Sequence, residues 1–137
     1  MRHASDETTL RVLRDTEVWA VVGLSNDRSR AAYGVSAWLQ ARGKRIVGVH
    51  PRAEVVHGEQ GYAALADIPF RVDVVDVFVR SQLAGAVCDE AVTVGARAVW
   101  MQLGVGDDAA FRRLEAAGLL AVQDDCPKIA GPRLGWT

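Results

Sequence analysis

The chain has 137 residues, half of them hydrophobic, with a formal net charge of −1 and a sequence pI near 6.3. That length suits one domain with a core of its own, and the near-neutral balance without clustered Lys and Arg argues against a nucleic-acid-binding face. Two cysteines, Cys88 and Cys126, are too few for a disulfide scaffold, and neither they nor His3, His50 and His57 have metal-ligand spacing, so no metal is expected.

The start, Met1-Arg-His-Ala-Ser-Asp-Glu, has no apolar core of a signal peptide, and no apolar run approaches the roughly 20 residues needed to cross a bilayer. A soluble, cytoplasmic protein without a membrane partner is the expectation. Residues 6–15 begin acidic and place Leu10 and Leu13 at helical spacing, as a short amphipathic helix would, within an N-terminal helical segment spanning residues 1–16.

Five apolar runs follow: 18–22, Ile46–Val49, Val74–Val79, Val99–Leu103 and Leu119–Val122. Each is of strand length, rich in Val, Ile or Leu and nearly free of polar alternation, as strands covered on both faces are. Between them, helices are expected over about Arg30–Arg42, Gln82–Val94 and Asp107–Ala117, with Gly43, Gly95 and Gly118 where a C-cap is wanted. Strand and helix in alternation imply an α/β, Rossmann-like open parallel sheet of about five strands with helices on both faces, a single domain over 1–137. Pro51–Phe70 is less regular, with a short helical turn expected around Tyr62–Ala66. The extension at 125–137, carrying two prolines and two glycines, reads as a loop or short helical turn wrapping back on the domain.

In an open parallel sheet, ligands bind beyond the C-terminal strand ends, where the strand order reverses. Three loops qualify: Gly23–Arg30, His50–Glu54 and Arg80–Leu83. In the first, Gly23 lets backbone approach closely, Ser25, Asn26 and Ser29 can donate or cap, and the following helix N-terminus can hold a phosphate. The loop lacks Gly-x-Gly-x-x-Gly, so it carries no dinucleotide fingerprint. The second strand ends in His50-Pro51-Arg52 rather than in the Asp or Glu of an NAD site. A guanidinium there suits a ribose bearing a phosphate, which leaves NADP and coenzyme A both open.

Gly-Leu-Ser at 23–25, His-Pro-Arg at 50–52, Val-Asp-Val-Val-Asp-Val-Phe at 72–78, Val-Trp-Met-Gln-Leu-Gly at 99–104 and Asp-Asp-Cys-Pro-Lys-Ile at 124–129 occur in that order. Together they resemble the small stand-alone CoA-binding proteins, whose fold is similar to the CoA-binding domain of succinyl-CoA synthetase alpha subunits. The likeness runs from about Glu17 to Leu134. It implies coenzyme A or an acyl-CoA as ligand, with pyrophosphate near Gly23, Ser25, Asn26, Ser29 and Arg30, and adenosine near Pro51 and Arg52. Val79 and Arg80 would border the adenine and pantetheine path, and Gln102 would sit at the tip of the fourth strand. Similar proteins often carry Pro in the first loop and Ser where this chain has Ala32, so one phosphate-contacting hydroxyl is missing here.

No catalytic residue is expected. Asp73 and Asp76, three apart on a strand pattern, face opposite sides, which makes Asp73 a strand-start residue and Asp76 a structural hydrogen-bonding group. Cys126 reads as a small residue anchoring the C-terminal segment, with a reactive thiol near the CoA sulfur as the functional alternative. Cys88, Trp19, Trp38 and Trp100 read as core, whereas Trp136 either docks on the domain or serves a subunit interface. The function that follows is CoA binding without catalysis. An NADP- or acyl-CoA-dependent enzyme and a CoA-sensing regulatory module are the alternatives, and a homodimer is expected only as the common habit of small domains.

Overall fold

The computed structural model describes all residues, Met1–Thr137. Its elements run α1 (Asp6–Arg14), β1 (Val18–Val22), α2 (Ala31–Gln40), β2 (Arg45–Val49), β3 (Val55–Val56), β4 (Glu59–Gln60), a 3-10 turn (Leu65–Asp67), β5 (Val74–Val77), α3 (Ser81–Thr93), β6 (Ala98–Gln102), α4 (Asp108–Ala116), β7 (Leu120–Asp125) and α5 (Pro127–Arg133). Five of the strands form one parallel sheet in the order β2-β1-β5-β6-β7, and β3 and β4 make a separate antiparallel hairpin. This is the expected α/β, Rossmann-like fold.

The apolar runs are continuous because the sheet is sandwiched. On one face Val75, Val77, Val99 and Met101 pack with Ala84, Cys88 and Ala91 of α3 and with Ala110, Phe111 and Leu114 of α4. On the other, Trp19, Val21, Val74 and Trp100 pack with Val12 and Leu13 of α1, Ala32, Val35 and Leu39 of α2 and Ala130 of α5. Burial of these side chains on both faces is the main source of stabilisation, at about 25 cal/mol per Å² of apolar surface removed from water.

Local signals set the element ends. Ser5 caps α1 by accepting the Thr8 N–H at 3.1 Å, and Asp107 caps α4 by accepting the Ala110 N–H at 3.0 Å. Asp73 stands just before β5, where its Oδ2 accepts the N–H groups of Glu17 and Val18, each at 2.9 Å, and so fixes the start of β1 against β5.

Two stretches that the sequence left open are defined by the structure, and one expectation needs correction. The 55–60 stretch is a hairpin, made by His57 and Gly58 both at positive φ (51° and 82°), a two-residue turn of the kind that reverses a strand. The helical turn expected around Tyr62–Ala66 lies at Leu65–Asp67, because Tyr62 instead bridges to Val49 at the sheet edge. The C-terminal segment holds a helix, α5, with Pro127 in its first turn. Trp136 docks on the chain itself: it meets Trp38 edge-on at a centroid distance of 5.7 Å, with the Lys44 ammonium 5.2 Å from its ring centre.

Candidate ligand site

The chain steps from β1 to β2 in one direction, then crosses back over β1 to β5. The switch point therefore lies between the C-terminal ends of β1 and β5. Gly23 makes that junction close. Its φ is +103°, and a Cβ on it would stand 2.5 Å from the carbonyl oxygen of Phe78, the residue after β5. With no side chain there, the Gly23 N–H donates to Val49 at 2.9 Å and the Phe78 N–H donates to Val22 at 2.9 Å, so the strand ends stay level.

A cleft of about 960 Å³ opens above this junction, at the upper end of ordinary ligand-pocket sizes, about 300–1,000 Å³. The N-terminus of α2 lines it through Arg30, Ala31 and Ala32, and α3 begins beside it, directly after Arg80. Arg30 precedes α2 and Arg80 precedes α3, and neither supplies a side-chain cap; the Tyr33 and Leu83 N–H groups donate to the Arg30 and Arg80 carbonyls, which leaves those of Ala31 and Ala32 and of Ser81 and Gln82 for solvent or a ligand. Arg30, Arg52 and Arg80 also line the cleft, so its mouth carries three guanidinium groups against the carboxylates of Asp27 and Glu90.

Of the residues singled out in the sequence, the structure brings Gly23, Ser25, Arg30, Pro51, Arg52, Val79, Arg80 and Gln102 to this one cleft. Asn26 and Ser29 are not in its lining. The Asn26 amide donates to the Val55 carbonyl at 2.9 Å, and the Ser29 hydroxyl donates to Asp27 at 2.6 Å, so both side chains hold the loop together. The Ser29 hydroxyl and N–H keep the Asp27 carboxyl below its usual range. The sequence did not disclose the other wall: Ala63, Ala64 and Leu65 face Val87 and Glu90 of α3. The Val49–Tyr62 bridge folds that wall into place.

A protein-family model described as a CoA binding domain matches residues 17–132. The chain belongs to the CoA-binding domain family. Among curated proteins it is similar to the uncharacterized protein YneT of Bacillus subtilis, 30% identical over 130 residues that cover 95% of this chain and 96% of that one. A solved structure of a hypothetical protein from Pyrococcus horikoshii is 30% identical, with a TM-score of 0.87 over 98% of this chain and 96% of that one. A dinucleotide-forming acetyl-coenzyme A synthetase of Ca. Korarchaeum cryptofilum, solved with phosphate and ADP, shares the fold at a TM-score of 0.73 and 22% identity. That likeness covers 85% of this chain and 28% of the synthetase.

In this CoA-binding-domain chain, Ala32 sits in the first turn of α2 and is 3% exposed, so it can offer the cleft a backbone N–H but no hydroxyl. The floor of the cleft is polar at one place. Gln102 lies at the end of β6 and its amide donates to the buried Asp76 carboxyl, whose second oxygen has no partner. Burial pushes Asp76 up to about 8, opposed by the Gln102 hydrogen bond, so its surroundings favour the neutral form. Asp76 is thus a hydrogen-bonding group inside the sheet.

Cys126 precedes α5, is half-buried and lines the cleft. Burial pushes its thiol up, and nearby Asp76 and Asp125 push the same way. The opposing groups are the backbone N–H groups of Lys128 and Ile129. Cys88 is buried among core side chains and pushed up to about 12. No three His, Cys, Asp or Glu side chains converge as a metal site would require, and no helix is long and apolar enough to cross a membrane.

Proposed function

We propose that this cleft binds coenzyme A or an acyl-CoA, in the cytoplasm, without catalysing a reaction. The observation that carries the reading is the meeting of two uncapped helix N-termini and three arginines at the switch point of a CoA-binding-domain chain. Pyrophosphate is assigned to the Gly23–Arg30 loop and the start of α2, and the 3′-phosphate to Arg52. The apolar wall of Ala63, Ala64, Leu65 and Val87 suits the uncharged parts of so long a ligand. Arg52 also lies where an NADP 2′-phosphate would be met, so the ligand is decided by titration.

Calorimetry with CoA, dephospho-CoA and NADP is the test. Binding of CoA in preference to dephospho-CoA, with Arg52→Ala abolishing that preference, is the expected result. Failure of CoA to bind, or equal binding of CoA and dephospho-CoA, refutes the ligand or the Arg52 assignment respectively. Mass spectrometry of small molecules released from the purified protein reports the same ligand independently.

An acyl-CoA enzyme is favoured by one observation, the Cys126 thiol in the cleft wall. Its raised pKa works against a thiolate nucleophile at neutral pH. Loss of acyl-CoA turnover in Cys126→Ser, with CoA binding kept, would overturn the non-catalytic reading. Light scattering with and without CoA tests both the proposed homodimer and a CoA-sensing role.

A further inference from the structure

The cation placed for the ligand phosphate already has an anion beside it. Glu54 Oε1 accepts the Asn26 N–H at 3.2 Å and stands 3.8 Å from Arg52 Nη2. At the rim of the cleft, where Arg52 is a lining residue and Asn26 and Glu54 stand behind it, one carboxylate oxygen therefore occupies the gap between a backbone donor of the first loop and the guanidinium of the second. Those are the two kinds of donor a phosphate oxygen seeks at such a site.

The backbone holds Glu54 in that place. Ala53 takes a positive φ of 47°, which turns the chain back toward the first loop. The Gly61 N–H donates to the Glu54 carbonyl at 2.9 Å, and a Cβ on Gly61 would stand only 2.6 Å from that oxygen. Gln60 donates to the Ala53 carbonyl at 2.8 Å, and Asn26 to the Val55 carbonyl at 2.9 Å. The Glu54 side chain is 30% exposed against 66% for Arg52, so the carboxylate is the more fixed partner.

We propose that Glu54 sets the affinity and phosphate selectivity of this cleft: its carboxylate holds the phosphate-oxygen position in the free protein, and the 3′-phosphate of the ligand must displace it. The inference rests on the CoA reading given above. A dianionic phosphate bound next to Arg52 gains the guanidinium but meets the Glu54 charge at close range, so Glu54 weakens the very contact that Arg52 provides. A ligand lacking the 3′-phosphate does not enter that competition.

The test compares wild type with Glu54→Gln by calorimetry at fixed ionic strength, using CoA, dephospho-CoA, adenosine 3′,5′-bisphosphate and AMP. Glu54→Gln keeps the size of the side chain and an acceptor for the Asn26 N–H while removing the charge. Because the pair is partly exposed, CoA and the bisphosphate are expected to bind about 3- to 5-fold more tightly to the variant, with dephospho-CoA and AMP changing less than about twofold. Unchanged or weaker binding of the 3′-phosphorylated ligands, or equal tightening of all four, overturns the role of Glu54. If CoA binds neither protein while Glu54→Gln still tightens the bisphosphate, the CoA reading fails and the Glu54 inference stands. If neither CoA nor the bisphosphate binds either protein, both fail.

Discussion

Gly23→Ala isolates the contact that brings the two halves of the sheet together at the cleft. An alanine there must adopt a backbone angle of +103° and place its Cβ 2.5 Å from the Phe78 carbonyl oxygen, which is backbone and cannot rotate aside. Backbone strain of that kind costs ~1–3 kcal/mol, and the forced parting of packed atoms a further ~1–3 kcal/mol. The expected loss is therefore about 2–6 kcal/mol from a total that for domains lies near ~5–15 kcal/mol. Urea unfolding followed by far-UV circular dichroism should show a midpoint lower by about 1–3 M. Gly34→Ala is the control, since Gly34 lies exposed inside α2 with nothing within 4 Å of an added Cβ. It should stabilise by about 0.5–1 kcal/mol, because an alanine there loses less entropy on folding. A Gly23→Ala protein within about 1 kcal/mol of wild type would refute the claim that β1 and β5 close over a missing side chain.

Asp76 gives a pH signature. Its folded value of about 8 lies above the ordinary aspartate value of 3.8, so the native state holds the extra proton between the two. Stability from this group is thus full below about pH 4 and is lost as pH rises through about 8. Asp76→Asn, which cannot ionise, should gain on wild type by several kcal/mol as pH rises across that window; a difference that stays flat from pH 5 to 9 in urea unfolding would sink the assignment. Gly131→Ala should loosen the C-terminal segment, because its Cβ would stand 2.7 Å from the Trp136 carbonyl and 2.9 Å from the Trp38 ring. Tryptophan fluorescence should shift to the red and the tail should become cleavable by protease, and an unaltered spectrum would count against the docking of Trp136. Iodoacetamide should alkylate native Cys126 slowly and Cys88 more slowly still, and CoA should protect Cys126; mass spectrometry showing no protection by saturating CoA would place the ligand away from the α5 end of the cleft.

The sheet was legible because strands buried on both faces write their burial into sequence. Val18–Val22, Val74–Val77 and Ala98–Gln102 are nearly free of charge, and the single carboxylate among them, Asp76, is accommodated by Gln102. The β3–β4 hairpin was not legible. Its strands have two residues each, and Glu59-Gln60 are polar because they lie on a solvated edge, where Arg45 pairs with Glu59 at 2.8 Å. The local signal was Gly58 after His57, but a turn with two positive φ values is usually announced by Asn or Asp before the glycine. Trp136 was undecidable for a different reason. Its partners Trp38 and Lys44 are nearly a hundred residues away, so only the closed fold shows what its ring covers.

At the cleft, residues at a strand end or within three positions beyond it were within reach of the sequence, because the strand end fixes where they stand. Gly23, Arg52, Arg80 and Gln102 are of this kind. Residues brought by folding back were not: Ala63–Leu65 depend on the Val49–Tyr62 bridge, and Cys126, which the sequence left open between an anchor and a cleft residue, follows a register shift between β6 and β7 that sets Gln102 opposite Asp125. The same distinction explains why the arginines could be read as free cations. Asp27 lies 3.7 Å from Arg30, and Glu54 lies 3.8 Å from Arg52, so two of the three cations at the mouth have a nearby carboxylate. A ligand phosphate then exchanges one anion for another, and its net gain is smaller than a bare arginine would give. Binding strength must therefore come in larger part from the helix N-termini, whose N–H groups no side chain caps. On that division of labour, raising the ionic strength should weaken CoA binding less steeply than three unpaired arginines would require.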